Sequence, residues 1–196
     1  MLINELVKIL TMNPITEYIE IVDRVYGLFL DATYAFPTHR KKFIENQQAG
    51  SKLSKLSIEE LDALPLVYGI GPSANCIELH TTTQGDLKKR NEKNGRNTKT
   101  IGNLCLCEIY HYWEDHYRKE IAEYLGLSKN KLLSDIFGDI RNYRRSIIHN
   151  RGVAISHVNN HKLLKWFREN DLIEVDENKM QHIIHQIYQY LNQIKK

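Results

Sequence analysis

The sequence predicts an all-α fold, and three observations carry that prediction. Apolar side chains recur every three or four residues through several long stretches. Helix start and stop signals bracket most of them. Only one short segment, residues 76–82, has a strand-like composition, and the preferred reading for it is part of a long polar connection.

In chain order, residues 2–12 predict a short helix, and Asn13-Pro14 reads as an N-cap followed by proline in a first turn. Ile15, Ile19, Val22, Val25, Tyr26 and Phe29 mark a long buried helix over 15–35, which Phe36-Pro37 bends or ends. Residues 39–48 continue as a more polar helix stopped at Gly50. Ser57-Ile58-Glu59-Glu60 is a capping box for one short helix that closes before Pro65. Residues 69–100, punctuated by Gly69, Gly71, Pro72, Gly85 and Gly95, read as a long polar connection; Gly69-Ile70-Gly71 lacks the rest of a phosphate-loop pattern. Residues 103–125 form an aromatic helix with Gly126 at its C-cap. Ser128 stands where it can cap the next helix, whose stripe is Leu132, Ile136, Phe137, Ile140, Tyr143 and Ile147 and which finishes near Asn150-Arg151-Gly152. A shorter helix over 159–169, a turn or brief extended piece at 171–175 and a last helix over 178–194 complete the chain. The reading is one domain over 1–196, with N-terminal helices in 1–68, the polar connection in 69–100 and a core in 101–196.

The 196 residues are 42% hydrophobic and 26% charged, which is enough apolar material for a packed core and excludes wholesale disorder. No apolar run approaches the roughly 18 residues that span a bilayer, and the N-terminus lacks the pattern of a secretory signal. Cys76, Cys105 and Cys107 are odd in number and have no framework spacing, so the expectation is a cytoplasmic protein with reduced thiols and no membrane association.

The net charge of +3 says little, but its distribution says more. Residues 86–99 hold six basic side chains against two acids, and residues 141–151 hold four arginines and no acid. Concentrated positive charge suits a polyphosphate partner. Within the second segment, Arg141, Arg145 and His149 share one helical face at intervals of four. Arg144 and His149 do not: five residues apart, they leave a regular helix about 140° from each other. They converge on one ligand only if the helix loosens near His149, where Asn150 and Gly152 tolerate the left-handed conformation, or if a second copy completes the site. Spacing alone is weak, since ten arginines and nine histidines give such a pair by chance, and Arg151 with His157 is another formal match.

The run Asp139-Ile140-Arg141, Arg144, Ser146-Ile147-Ile148-His149-Asn150 and Gly152, after the aromatic Trp113-Glu114-Asp115-His116-Tyr117-Arg118, resembles the HEPN superfamily (higher eukaryotes and prokaryotes nucleotide-binding domains) over residues 101–196. The resemblance implies a HEPN-like antiparallel helical bundle, here with extra N-terminal helices and a long polar loop, and commonly a homodimer. It also implies a metal-independent endoribonuclease of toxin–antitoxin or phage-defence type, with an antitoxin or another defence-system protein as further partner. The family's Arg-x(4–6)-His signature falls on Arg144 and His149. The position after the arginine, usually Asn, Asp or His, is Arg145, which departs from the pattern.

RNA cleavage without metal needs a base for the 2′-hydroxyl, an acid for the 5′-oxygen and cations for the phosphorane charge. Imidazole, with an ordinary pKa of about 6.5, serves as either acid or base, and guanidinium offers a permanent planar donor fork. One chain supplies one histidine, so a two-fold dimer supplies the second proton-transfer group. The expected site is therefore Arg144 and His149 as catalytic residues with Arg141, Arg145, Asn150 and Arg151 on the RNA, and no metal or cofactor. The alternative is a non-catalytic scaffold or regulatory module of the same fold, binding nucleotide, nucleic acid or a partner protein. His157 with His161 and His182 with His185 have ligand spacing but no accompanying Glu or Cys, and read as surface or packing residues.

Overall fold

The computed structural model describes residues 13–72 and 75–195; the helix expected over 2–12 lies outside them. The chain is mostly helical, with one small sheet. Its described residues divide into two compact units, one built from those up to Leu30 and those from Thr100 onward, the other from Asp31–Lys99.

Helix α1 (Pro14–Ser54) starts as the sequence predicts. Asn13 Oδ1 accepts from the Ile15 amide at 2.9 Å, and proline in the first turn forfeits no bond. Of the two outcomes expected at Phe36-Pro37, an end is excluded, because α1 continues through Pro37. The proline removes one ladder donor, and one turn carbonyl beside it, that of Tyr34, takes the Thr38 hydroxyl at 2.9 Å.

In the first unit, Ile15, Tyr18, Val22, Val25 and Phe29 of α1 are buried at helical spacing. They join a core formed with α4 (Arg96–Tyr112), a π-helical turn (Trp113–Tyr117), α5 (Arg118–Tyr124), α6 (Asp135–His149) and α7 (Glu177–Ile194). At its centre Trp113 stacks on Phe137, ring centroids 3.9 Å apart, and the Tyr18 hydroxyl donates to the Ile109 carbonyl at 3.0 Å. Burying each such ring contributes about 1.5–3 kcal/mol. Gly102 permits the closest approach, for a Cβ there would lie 2.0 Å from the Val175 carbonyl oxygen. The next residue secures the contact: Asn103 donates to Ile173 O at 2.8 Å and accepts from the Val175 amide at 3.1 Å.

Three expectations for this unit need correction. The aromatic helix starts at Arg96 rather than 103 and is not uniform, because the π turn interrupts it at Trp113. The cap of α6 is Ser134, whose hydroxyl accepts from the Phe137 amide; Ser128 precedes only a 3-10 turn (Lys129–Lys131) and makes no capping bond. The helix over 159–169 does not form. A 3-10 turn (Ser156–Asn160) is followed by irregular chain, because α6 takes the backbone groups a helix would have used. The Asp139 carboxylate accepts the amides of Lys162, Leu163 and Leu164, and the Tyr143 hydroxyl donates to the Leu164 carbonyl. The extended piece at 171–175 appears as a single bridge between Val153 and Leu172.

The second unit replaces the long polar loop with ordered elements and adds one small sheet to a mostly α-helical fold. After α2 (Ile58–Ala63), which has the expected Ser57/Glu60 capping box, the chain forms an antiparallel pair, β1 (Pro65–Ile70) and β2 (Ile77–Thr83). It then enters α3 (Gln84–Arg90), capped by the Thr83 hydroxyl. The glycines and polar residues of 69–100 thus serve a turn, a bulge and helix caps. The interior of this unit is small and partly polar. Leu61 and Leu87 are buried beside Gln47, whose amide donates to Asp62 at 2.7 Å and accepts from Lys88 at 3.0 Å. Among the described residues no helix is long and apolar enough to cross a membrane.

Candidate functional site

Helix α6 carries the expected site residues, and its burial pattern sorts them. Ile136, Phe137, Asp139, Ile140, Tyr143 and Ser146 face inward, which turns Arg141, Arg145, Ile148 and His149 to solvent and leaves Arg144 half-buried at the margin. Each inward polar residue has a structural duty. Asp139 holds the loop at 162–164, and Ser146 donates to Asn142 O at 3.0 Å while accepting from the Ile155 amide at 3.2 Å.

The C-terminus of α6 is equally defined. His149 is its last residue, and Asn150 is the C-cap. Arg151 and Gly152 are left-handed at φ +54° and +82°. The amides of Asn150 and Gly152 both reach the Ser146 carbonyl, and the Asn150 side chain donates to Val153 O at 2.8 Å, holding the turn. Helical geometry therefore persists through His149, and the left-handed residues come only after it. Loosening of the helix, the one route by which a single chain brings Arg144 and His149 together, does not occur; they leave the axis about 140° apart.

Arg144 has a defined seat. Its guanidinium carbon lies 5.8 Å from the centroid of the buried Tyr110 ring on α4, within cation–π range. It also faces Cys107, whose thiol is pushed up to about 11 by burial, with the Arg144 charge pulling the other way. Burial and then the Glu114 carboxylate push the Tyr110 phenol up to about 12, against the pull of Arg141, Arg118 and Arg144. The phenol stays protonated and donates to Glu114 over a long 3.5 Å.

Glu114 is the hub beyond it. Arg118 donates to its Oε2 at 3.0 Å, and Lys129 Nζ lies 3.0 Å from Oε1 and 2.6 Å from the Glu114 backbone carbonyl. Burial raises the Glu114 carboxyl, but the Lys129 and Arg118 hydrogen bonds outweigh it and hold the group below its usual range. Tyr110, Glu114, Arg118, Leu132, Ser134 and Arg141 line a cavity of about 160 Å³ beside this cluster. The π turn starts next to Glu114, in the place where such turns often mark functional sites. Arg118 and Lys129 thus hold the Glu114 carboxylate, while Arg141 and Arg144 act on the Tyr110 phenol beside it.

The Glu114–Arg118 spacing was legible in the sequence. The role of Tyr110 as the platform for Arg144 was not, because an aromatic at helical spacing reads as core. On neighbouring helical rows Asp115 pairs with His111 at 2.7 Å and Lys119 with Glu123 at 3.8 Å.

No family model matches the chain, and neither the curated proteins nor the solved structures hold a match to it.

The other candidates resolve into ordinary roles. His161 is buried, its Nδ1 2.9 Å from Leu164 O and its ring edge-on to Tyr143. Among the described residues no group of three or more His, Cys, Asp or Glu side chains is placed to hold a metal. Lys88, Arg90 and Arg96 of the basic stretch 86–99 are engaged by carboxylates of their own unit. Lys88 pairs with Asp62 at 2.5 Å, and Arg90 and Arg96 share Asp86 at 3.5 and 3.2 Å.

Proposed function

We propose that the chain is a metal-independent endoribonuclease of the HEPN type that works as a homodimer in toxin or phage-defence systems. The observation that carries this reading is the arrangement on α6. One guanidinium, Arg144, is held at a fixed seat against Tyr110, while the imidazole five residues on is exposed at the helix end, turned about 140° away. A single copy presents the two groups to different directions; two copies related by a two-fold axis present Arg144 of one and His149 of the other to the same phosphate.

In the proposed reaction one His149 imidazole takes the proton of the ribose 2′-hydroxyl, and the 2′-oxygen attacks phosphorus. The bond from phosphorus to the 5′-oxygen breaks, leaving a 2′,3′-cyclic phosphate, and the partner's His149 delivers a proton to the departing oxygen. The two Arg144 guanidiniums stabilise the charge that grows on the phosphorane oxygens. Arg141 and Arg145 extend the cationic face to flanking phosphates, and Arg151 stands beyond the helix end for a further one. The Asn150 side-chain nitrogen holds the turn after His149 by donating to Val153 O, and its carbonyl oxygen serves the RNA beside the imidazole.

The test is cleavage of RNA in EDTA by the purified protein. Activity should fall at least a hundredfold with His149→Ala or Arg144→Ala, in line with the loss of one acid–base or charge-stabilising group. Mixing the two inactive variants should restore part of it, because a mixed dimer brings one imidazole and one guanidinium to the shared site, whereas each inactive homodimer lacks one of the two groups altogether. Binding without cleavage would refute the nuclease and support the scaffold instead; cleavage with no rescue would refute the shared site.

A further inference from the structure

Between α4 and α6 lies the cavity of about 160 Å³, which the proposed reaction leaves unused. Its apolar lining is Tyr110, Leu132 and the stacked Trp113–Phe137 pair, all buried. Its polar lining comes from Glu114, Arg118, Ser134 and Arg141. Rings and aliphatic side chains with a few convergent polar groups are the make-up of a small-ligand site. Gly138, in the middle of α6, also borders it, and a Cβ there would meet nothing within 4 Å. Alanine would suit the helix better, so this glycine serves no packing contact and leaves the mouth of the cavity open.

The polar wall is only partly satisfied. Of the five N–H groups of Arg118, Nε and one on Nη2 donate to Leu132 O at 3.3 and 3.2 Å and one on Nη1 donates to Glu114 at 3.0 Å, which leaves two. The Glu114 carboxylate has about four acceptor sites, and Arg118, Lys129 and the Tyr110 hydroxyl take three of them. Arg141 makes no hydrogen bond or ion pair among the described residues. Unused donors and an unused acceptor thus border one small, largely apolar space. A bare oxyanion suits it poorly, because a carboxylate stands in the wall and the rings offer an anion nothing. A nucleobase suits it, with flat faces for the rings and leucine and an edge that sets N–H donors beside acceptors.

Position ties the cavity to the proposed cleavage. The Tyr110 ring that bears the Arg144 guanidinium at 5.8 Å is also a wall of the cavity, and Arg141 precedes Arg144 by about one helical turn, roughly 5 Å. A phosphate held at Arg144 therefore has an adjoining base within reach of the cavity. RNA sequence is read where single strands splay bases out against rings and hydrogen-bonding side chains. We propose that this cavity seats one nucleobase of the RNA strand, the base flanking the phosphate on Arg144, and makes cleavage base-selective at that position.

The inference rests on the nuclease reading, and binding of single nucleotides, which needs no cleavage, tests it separately. The probes are the four ribonucleoside 5′-monophosphates, with ribose 5-phosphate as the base-free control, titrated into the full chain and followed by saturation-transfer NMR. Saturation should reach base protons more than ribose protons. The tightest nucleotide should bind with a dissociation constant below about 1 mM, about fivefold or more below that of the weakest and of the control. Gly138→Leu, which projects into the open mouth, should weaken that nucleotide about tenfold with no loss in Tm, since leucine is the better helix former. His149→Ala should leave the affinity within about twofold. RNA cut by the parent should be enriched in the same base beside the cut, and Gly138→Leu should erase that bias. No saturation by about 20 mM, equal affinity for all four nucleotides or for ribose 5-phosphate, or Gly138→Leu binding like the parent would overturn the proposal. So would a cleavage map without flanking bias. Selective nucleotide binding with no RNA cleavage would support the base seat and refute the nuclease.

Discussion

Asp139 opens the resembling run, and the structure gives it a mechanical duty with a calculable consequence. It is 4% exposed on α6, and its carboxylate accepts from the amides of Lys162 at 3.1 Å, Leu163 at 2.7 Å and Leu164 at 2.9 Å. Asp139→Ala removes all three acceptors. Lys162 and Leu163 are exposed, so their amides regain water and the loss for each is about 0.5–1 kcal/mol. Leu164 is fully buried, and leaving its amide without a partner costs about 2 kcal/mol. The sum is about 3–4 kcal/mol, or roughly 6–16 °C in Tm for a chain of this size. Asp139→Asn retains one oxygen acceptor but loses the charge and turns an NH2 toward the donors, so it should cost about half as much. Urea unfolding followed by tryptophan fluorescence is the assay, since Trp113 and Trp166 both belong to the first unit. The midpoint should fall with the m-value unchanged. A loss under about 1 kcal/mol for Asp139→Ala, or an Asn variant as stable as the parent, would refute the role of a charged acceptor.

Two further outcomes follow from the cluster beyond Arg144. Glu114 titrates below its usual range in the folded chain, so its contribution to stability is present above the ordinary carboxyl pKa of about 4.3 and is lost as pH falls through the lower folded value. Denaturant midpoints of the parent and of Glu114→Gln should therefore differ at pH 7 and converge at low pH; a gap that persists unchanged at pH 2 would contradict the ion-pair account. Tyr110→Leu removes the platform under Arg144, and under the proposed nuclease reading kcat/KM for RNA should fall about tenfold, the scale of a lost cation–π contact of roughly 1 kcal/mol or more. Tyr110→Phe keeps the ring and should stay within about threefold; equal losses in both variants would assign the effect to the hydroxyl instead.

Much of the local structure was legible because local rules set it. The Asn13-Pro14 start, the Ser57 capping box and Gly126 at +70° are governed by backbone donors within one turn, and each is found where its residues predict. The apolar rows of α1, α6 and α7 were legible for the same reason, since burial repeats with the helical period. The misreadings share one cause, competition from partners distant in sequence. Residues 159–169 have helical periodicity, but Asp139 and Tyr143, some 21–25 residues away, claim the backbone groups at 162–164. Residues 76–82 pair with a strand that proline and glycine disguise. Ser128 and Ser134 offer equivalent hydroxyls, and packing of Phe137 on Trp113 decides which of them caps α6.

The site divides along the same line. The residue types of the cationic segment, their intervals and the position of the helix end are properties of the sequence, because a helix converts spacing into direction without outside help. What only the tertiary structure decided is which cation is held and by what. The Tyr110 ring, the Glu114 hub with Arg118 and Lys129, and the unbroken course of α6 through His149 come from separate helices brought together by core burial. Side chains 15 or 34 residues apart acquire a common electrostatic environment only when a low-dielectric core places them in contact, and no local rule of the chain encodes that distance.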